Sequence, residues 1–259
     1  MDWSRRKDDQ GKRQDQRIVP AHRHLRESTQ VYPSDVRDSR LLHSNPRMTP
    51  DTLSIQSEAD ALCATARWCY SRGWVPATSG NFSVRDRAAG RMLISPSGID
   101  KGLMTTADLL ATDMEGRAAD SAKKPSAETA LHVVIYRARP DAGAILHVHS
   151  IWNTLLSGRF ADLGYVPLKG YELLKGLSEV STHEHEERVP ILRNSQDYEE
   201  LSVEMVETLR TNVDMHGVLL SRHGLYTWGK SVAEARRHLE ALEFLFEVEG
   251  RRLMIVPLD

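Results

Sequence analysis

The residues best suited to chemistry are two histidines at the end of an apolar run. Residues 144–150, with the sequence AILHVHS, have the composition of a buried strand. Successive side chains of a strand point to opposite faces, so His147 and His149 emerge side by side. Two imidazoles on one face can bind a single cation, although a lone pair of this kind is weak evidence for a metal site.

A third histidine occurs in a similar setting. Residues 217–220 form a second apolar run. His223 lies three residues after this run and is followed by Gly224. Three imidazoles leave a coordination position open for water or substrate, which is typical of catalytic zinc, although imidazoles also accept iron or manganese. The rival pair His183 and His185 lies in an acidic stretch without a strand pattern, which predicts a solvated loop. The sequence therefore favours a metal centre built by the first three histidines.

Two loops rich in serine and glycine flank a predicted hairpin of strands 81–85 and 91–95. Their candidate anion-binding residues are Ser79, Gly80 and Asn81 on one side and Ser95, Ser97 and Gly98 on the other. Glycine lets the backbone approach an anion, and hydroxyl, amide and main-chain N–H groups donate to phosphate oxygens. With Lys101 adding positive charge, the loops are candidates for a phosphate site, although short loops of this kind are more often plain turns.

Two glutamates are candidates for acid/base chemistry. Glu172 stands beside Tyr171 and two leucines between two glycines, which indicates a carboxylate at the edge of an apolar pocket. Burial there would raise its pKa and suit it to proton transfer. Glu128 falls in the first turn of a helix predicted to begin near Ser126, where it could simply complement the helix dipole. From the local sequence alone, a surface position is nevertheless favoured for Glu172, and the choice between the two glutamates stays open.

Helices that alternate with short, hairpin-forming strands indicate the fold class. The pattern predicts an α/β protein, a three-layer α/β/α sandwich with a mainly antiparallel central sheet. The helical spacing is clear over residues 53–72 and again after a capping box at 231–234. No glycine-rich nucleotide-binding motif occurs, so a nucleotide cofactor is not expected.

Composition divides the 259 residues into a basic arm and an acidic body. Residues 1–47 carry 11 lysines and arginines against 7 aspartates and glutamates and have little apolar periodicity. We therefore expect a disordered basic extension over residues 1–49 and a catalytic domain over residues 50–259. Interleaved acidic residues argue against nucleic-acid binding, and no apolar run is long enough for a membrane span. Two cysteines and a charged N-terminus favour a cytoplasmic protein.

Five motifs occur in the order found in class II aldolase/adducin-type domains, and the chain resembles that family from residue 53 to residue 248. The motifs are SGNFS at 79–83, SPSG at 95–98, PSAE at 125–128, HVH at 147–149 and RHG at 222–224. The resemblance implies that His147, His149 and His223 bind Zn²⁺, one ion per subunit, and that the serine and glycine loops hold a sugar phosphate. It also implies a homotetramer.

Residues 171–176 (YELLKG) and 222–229 (RHGLYTWG) are most similar to the dehydratase branch of this family. That resemblance implies a zinc-dependent lyase of methionine salvage that converts 5-methylthioribulose 1-phosphate to 2,3-diketo-5-methylthiopentyl 1-phosphate. Glu172 would be the principal acid/base and Glu128 a helper. The alternatives are a sugar-phosphate aldolase of the fuculose or ribulose-phosphate type, with Glu128 as its acid/base, and a non-catalytic adducin-like interaction domain.

Overall fold

An eight-stranded sheet lies at the centre of the protein. The structure is a computed structural model that describes residues 50–119 and 125–255. Its strands are β1 (Asn81–Asp86), β2 (Arg91–Ile94), β3 (Leu110–Asp113), β4 (Ala144–Val148), β5 (Tyr165–Lys169), β6 (Glu186–Leu192), β7 (Gly217–Leu220) and β8 (Gly224–Gly229). They lie in the order β3-β2-β1-β4-β8-β7-β6-β5, and every pairing is antiparallel except that of β6 with β7.

Helices cover both faces of this sheet. They are α1 (Pro50–Ser71), α2 (Thr129–Ala138), α3 (Ile151–Arg159), α4 (Tyr198–Thr211) and α5 (Val232–Ile255). Side chains of α1, α3 and α5 share one buried core with the sheet, and those of α2 and α4 share another. Because strand side chains alternate, Leu146 enters the first core and Ile145 the second. The predicted α/β/α sandwich with a mainly antiparallel sheet is confirmed.

Strand β4 is the element that positions the candidate site. All five of its residues are buried, because β1 and β8 flank it and helices cover both faces. A strand that is covered on both sides usually has a continuous apolar sequence, and His147 is the polar exception in β4. The neighbouring hairpin of β7 and β8 returns the chain to the same edge, so a residue in its turn can reach the end of β4.

Two local predictions differ from the structure. Helix α2 begins at Thr129, three residues after Ser126, and the Ser126 hydroxyl accepts a hydrogen bond from the Glu128 N–H at 3.3 Å. Strand β6 begins at Glu186, so the loop expected over residues 183–187 is wrong for its last two residues. Glu187 is only 2% exposed, because strand β5 pairs with its backbone and two histidines surround its carboxylate.

The expected extension over residues 1–49 lies outside the described residues, and the domain boundary near residue 50 stays a prediction. Within the part of the chain that the structure describes, no helix combines the length and the apolar character needed to cross a membrane. The cytoplasmic location expected from the sequence also stays a prediction.

Candidate metal centre and active site

Three histidines and one glutamate meet where β4 ends. His147 is the fourth residue of β4, His149 lies just beyond its end, and His223 lies in the turn between β7 and β8. The ring centroids of His147 and His149 are 4.6 Å apart, and His223 lies 5.2 Å and 4.6 Å from them respectively. One ligand atom from each ring and one from Glu128 all lie within 4.8 Å of one another. The structure thus brings the three predicted ligands together.

The β7–β8 turn places His223 at the end of β4. Arg222 has a φ of 55°, and the N–H of His223 donates to the carbonyl of Leu220 at 3.1 Å, which closes a tight reversal. Helix α3 fixes this reversal from outside. The Thr154 hydroxyl donates to the carbonyl of His223 at 3.2 Å, and the Ser157 hydroxyl accepts from the N–H of Arg222 at 2.9 Å.

Two glycines allow the backbone to pack directly against the histidines. A Cβ at Gly224 would lie 2.8 Å from Cε1 of His147 and 2.9 Å from Cδ2 of His149, and it would overlap the carbonyl oxygen of Val148. A Cβ at Gly80, where φ is 72°, would lie 2.5 Å from the carbonyl oxygen of His147. No larger residue fits either position without displacing the site.

The hydrogen bonds of the rings leave their Nε2 atoms for a cation. Nδ1 of His147 lies 3.0 Å from the carbonyl oxygen of Leu225, and Nδ1 of His223 lies 3.1 Å from Oδ1 of Asn194. A carbonyl oxygen only accepts, so Nδ1 of His147 carries the hydrogen and its Nε2 keeps a lone pair. Nε2 of His147 then faces Nε2 of His149 at 2.8 Å. This donor set fits a divalent metal ion, because ligating histidines are oriented by such bonds to the other nitrogen.

Burial sets the charge of the cluster. It lowers the pKa of His147 well below the ordinary value, and together with the charge of His223 it lowers the pKa of His149 to about 4. Burial also raises the pKa of Glu128, but its hydrogen bond with His223 and the other two histidines outweigh this effect and lower that pKa to about 2. At neutral pH Glu128 is therefore a carboxylate beside the neutral rings of His147 and His149, which is the form that binds a cation.

Glu128 points into the cluster instead of capping its own helix. Its Oε1 lies 3.2 Å from Nε2 of His223 and 3.8 Å from Nε2 of His147. Its Oε2 accepts a hydrogen bond from Nδ2 of Asn81. Only 14% of the side chain is exposed, so the carboxylate is held in one orientation within a largely buried site. The expectation that it complements the helix dipole missed this arrangement.

Lys101 ties the two serine and glycine loops together. Its side chain is buried, and Nζ donates to the carbonyl of Thr78 at 2.8 Å and to that of Ile99 at 3.1 Å. Burial lowers the pKa of Lys101 to about 8, although the charges of Glu128 and Asp100 oppose this shift. An ammonium has three hydrogens, so one remains for an anion.

The hydroxyls of the two loops differ in their partners. The Ser95 hydroxyl accepts a hydrogen bond from the N–H of Phe82 at 3.0 Å, and Ser97 and Gly98 are exposed. The Ser79 hydroxyl is buried and has no hydrogen-bond partner among the described residues. A buried hydroxyl of this kind is free to bind a ligand oxygen.

The structure places Glu172 at the surface. It begins a short 3₁₀ segment after β5, its side chain is 73% exposed, and its carboxylate pairs with Nζ of Lys175 at 2.5 Å. The hydrogen bond from Lys175 lowers the pKa of Glu172, so the apolar-pocket interpretation with its raised pKa is wrong, and Glu172 has the surface position that its local sequence favoured. Strand β5 is at the sheet edge, four positions from β4. At the usual strand spacing this is about 19 Å. Glu172 is not one of the groups that meet at the histidines of its own chain.

Sequence reasoning missed His132. This histidine is fully buried on α2 and its ring nitrogens contact Asn81 and Ser83. The available signal was its spacing, since residues four apart on a helix share a face and His132 follows Glu128 by four positions.

The fold and the site define this chain as a member of the class II aldolase family. Residues 60–249 match the family described as the Class II Aldolase and Adducin N-terminal domain. The chain is 46% identical over 196 residues to a methylthioribulose-1-phosphate dehydratase from Methylococcus capsulatus, covering 76% of this chain and 94% of the relative. It is 45% identical over 207 residues to the enzyme of that name from Stenotrophomonas maltophilia, covering 78% and 95%.

A solved structure supports the fold. The L-fuculose-1-phosphate aldolase from Thermus thermophilus is similar with a TM-score of 0.62 and 26% sequence identity, covering 77% of this chain and 97% of that chain. The family resemblance noted in the sequence motifs is confirmed.

Proposed function

We propose that this chain is a zinc-dependent dehydratase that converts 5-methylthioribulose 1-phosphate to 2,3-diketo-5-methylthiopentyl 1-phosphate. The observation that carries the proposal is that one ring nitrogen from each of the three histidines and one oxygen of Glu128 lie within 4.8 Å of one another. Relatives at 42–46% identity that bear the dehydratase name support the choice of substrate. One zinc ion per subunit, bound by His147, His149 and His223, would supply a Lewis acid that polarises the substrate carbonyl.

Proton removal from carbon is the step that the protein must catalyse. Glu128 is ionised at neutral pH and largely shielded from water, and its Oε1 faces the histidines that would hold the metal ion. It is therefore placed to accept the proton from C3 of the ketose. Departure of the C4 hydroxyl as water then needs a proton donor, and a carboxyl group that has just been protonated is one. The resulting C3 enol becomes the 2,3-diketone when its hydroxyl loses a proton and C4 gains one.

The two serine and glycine loops would position the substrate. We assign the phosphate to the hydroxyls of Ser79, Ser95 and Ser97, to the backbone at Gly80 and Gly98, and to Asn81 and Lys101. The unpartnered hydroxyl of Ser79 and the clamp that Lys101 makes between the loops support this assignment. The Asn81 amide has a second N–H that Glu128 does not use, and we assign this donor to the phosphate.

The alternative that Glu172 is the principal acid/base, with Glu128 as a helper, requires a second copy of the chain. Glu172 is exposed at the far edge of the sheet, so it can serve only the site of a neighbouring chain, as in the proposed homotetramer. Co-expression of Glu172→Gln chains with His147→Gln chains tests this role. Hybrid sites that combine an intact histidine triad with an intact Glu172 would restore turnover. If Glu172→Gln chains are fully active alone, this role is wrong.

The proposed reaction is tested by product analysis. Metal-loaded full-length protein is incubated with 5-methylthioribulose 1-phosphate, and we expect a diketone that absorbs in the near ultraviolet. Glu128→Gln should lower turnover by about 10²- to 10⁴-fold, the usual contribution of a positioned acid/base. No diketone with metal-loaded protein would refute the dehydratase proposal.

An aldolase is the second candidate, because Glu128 stands in the cluster at the position that the family resemblance gives to the aldolase acid/base. A class II aldolase would cleave the C3–C4 bond of a sugar phosphate. Its products would be a triose phosphate and an aldehyde, so the same incubation distinguishes the two reactions.

A further inference from the structure

Behind Glu128 and Asn81, a buried chain of hydrogen bonds continues through His132, Ser83 and Tyr136, and the proposed reaction gives these three residues no role. We propose that His132 is a positioning residue that acts through Asn81 to fix which oxygen of Glu128 faces the metal-binding histidines. This inference rests on the metal site proposed above. The hydrogen bonds of His132 are with Asn81 and Ser83 and its ring packs edge-on against Tyr226, so it acts on Glu128 through Asn81.

The chain of hydrogen bonds is continuous from α2 to the cluster. The Tyr136 hydroxyl lies 2.9 Å from that of Ser83, which lies 2.7 Å from Nδ1 of His132. Nε2 of His132 contacts Oδ1 of Asn81, and Nδ2 of Asn81 donates to Oε2 of Glu128. Tyr136, Ser83, His132 and Asn81 are all buried, so water cannot substitute for a missing partner.

Only one arrangement of hydrogens suits an ionised Glu128. A carboxylate accepts and never donates, so Asn81 must present its NH₂ group to Glu128 and its oxygen to His132. That oxygen also accepts only, so His132 carries its hydrogen on Nε2. Nδ1 of His132 then accepts from the Ser83 hydroxyl, and the Ser83 oxygen accepts from Tyr136. Burial, opposed by the charge of Glu128, lowers the pKa of His132 to about 3, which keeps the ring neutral as this pattern requires.

The tautomer of His132 therefore determines the orientation of Asn81. With the hydrogen on Nδ1 instead, Asn81 would have to turn its amide and place an oxygen against the carboxylate of Glu128, where two acceptors repel. In the observed arrangement Oε2 is engaged by Asn81, and Oε1 alone is directed at His223 and His147. His132 thus presents Glu128 to the metal site through a single oxygen.

A role confined to fold stability predicts different behaviour, and a matched control exists. His238 is also a buried neutral histidine, with Nδ1 bonded to the Trp228 carbonyl at 2.7 Å, but it belongs to a different cluster. The variants to compare in the full-length protein are His132→Leu, His132→Gln and His238→Leu. Glutamine keeps an N–H donor at a position close to Nε2 of histidine, whereas leucine keeps none.

The main measurement is the Zn²⁺ dissociation constant, obtained by competition with a chromophoric chelator. Outer partners of metal ligands usually contribute about 10- to 100-fold to affinity, so His132→Leu should weaken Zn²⁺ binding by that factor and His132→Gln by about threefold or less. His238→Leu should lower the unfolding temperature and leave Zn²⁺ affinity unchanged. Wild-type affinity in His132→Leu, or equal weakening in the glutamine variant or in His238→Leu, overturns the inference.

A double variant tests whether His132 acts through Glu128. Once Glu128→Gln has removed the carboxylate, adding His132→Leu should weaken Zn²⁺ binding no further, because the two residues act as a unit. Additive losses would contradict the inference.

Ser83→Ala is the variant to use if His132→Leu fails to fold, because it removes only the hydroxyl behind the ring. It should also weaken Zn²⁺ binding, and unchanged affinity would count against the inference. Zn²⁺ affinity is measured without substrate, so a protein that binds zinc as expected but forms no diketone would refute the proposed function alone.

Discussion

Two buried histidine clusters lie at opposite ends of strand β7, and they are built differently. His223 follows β7 and joins His147 and His149, whereas His216 precedes β7 and packs against His238. The spacing is similar, since the rings of His216 and His238 are 5.0 Å apart. Ring spacing therefore does not distinguish a metal site from a structural cluster.

The difference lies in the partners of the ring nitrogens. His216 directs Nδ1 to the carboxylate of Glu187 at 3.1 Å and Nε2 to the carbonyl of Ser178 at 2.8 Å. His238 directs Nδ1 to the carbonyl of Trp228, and its Nε2 accepts from the N–H of Ser178 at 3.1 Å. All four nitrogens have protein partners. In the first cluster Nε2 atoms face one another and a carboxylate, an arrangement that a cation completes.

The charges of the two clusters follow from the same contacts. Burial opposes protonation of His216, but its hydrogen bond to Glu187 and the charge of Glu187 outweigh burial and raise its pKa. Burial lowers the pKa of His238 to about 4. The second cluster thus combines an internal ion pair with a neutral ring, and it needs no external charge.

The largest expected effect comes from removing one ring from each cluster. His147→Gln takes a ligand from the proposed metal site, so bound zinc should be lost and turnover should fall to background. His216→Gln should retain bound zinc and turnover, because both nitrogens of the His216 ring bond to protein groups. Metal content by elemental analysis, together with the diketone assay, checks this pair. Zinc retained in His147→Gln would mean that the triad is not the binding site.

Alanine at Gly224, the first residue of β8, and alanine at Gly217, the first residue of β7, should affect the two histidine clusters differently. The expected difference is smaller than that between the histidine variants. A Cβ at Gly224 meets both His147 and His149, whereas a Cβ at Gly217 meets side chains of Leu225 and Leu242 at 2.9 Å and 3.2 Å. Overpacking of this kind costs about 1–3 kcal/mol of stability. We expect Gly224→Ala to weaken Zn²⁺ binding and Gly217→Ala to leave it intact at a comparable loss in urea unfolding. Equal Zn²⁺ affinities would contradict the account.

The smallest expected effect is a pH dependence of stability. The pKa of His238 is about 4 in the folded protein and 6.5 ordinarily, so its stabilising contribution is present above pH 6.5 and is lost as the pH falls towards 4. His238→Gln should therefore reduce the slope of the unfolding free energy against pH on the acid side by about one proton, or about 1.4 kcal/mol per pH unit.

The raised pKa of His216 acts in the opposite sense, since its contribution is present below pH 6.5 and is lost at higher pH. Urea unfolding at several pH values between 4 and 7 checks this, and an unchanged slope would show that His238 is protonated in the fold.

The local sequence was sufficient to predict features that depend on residues close together in the chain. The run that ends in His147 and His149 is apolar because β4 is covered on both faces, so both its strand character and the direction of its histidines could be predicted. The glycines beside the site were also visible, because close backbone approach requires that residue type. Hairpins and helical periodicity were enough to predict the layers of the fold.

Features that depend on distant partners could not be predicted. Glu187 looked solvated because its partner His216 lies 29 residues away, and His132 looked ordinary because Asn81 and Ser83 lie 51 and 49 residues away. The apolar neighbours of Glu172 suggested a pocket edge, but burial depends on what packs over a segment, and within the described chain its exposed carboxylate only pairs with Lys175.

Anomalous diffraction at the zinc edge from crystals of the metal-loaded protein locates the metal ion without relying on activity. We expect one strong peak per chain, with the Nε2 atoms of His147, His149 and His223 at about 2.0–2.1 Å, the usual zinc–nitrogen distance. No peak is expected between His216 and His238. A peak at the second cluster, or none at the triad, would contradict the assignment of the metal centre.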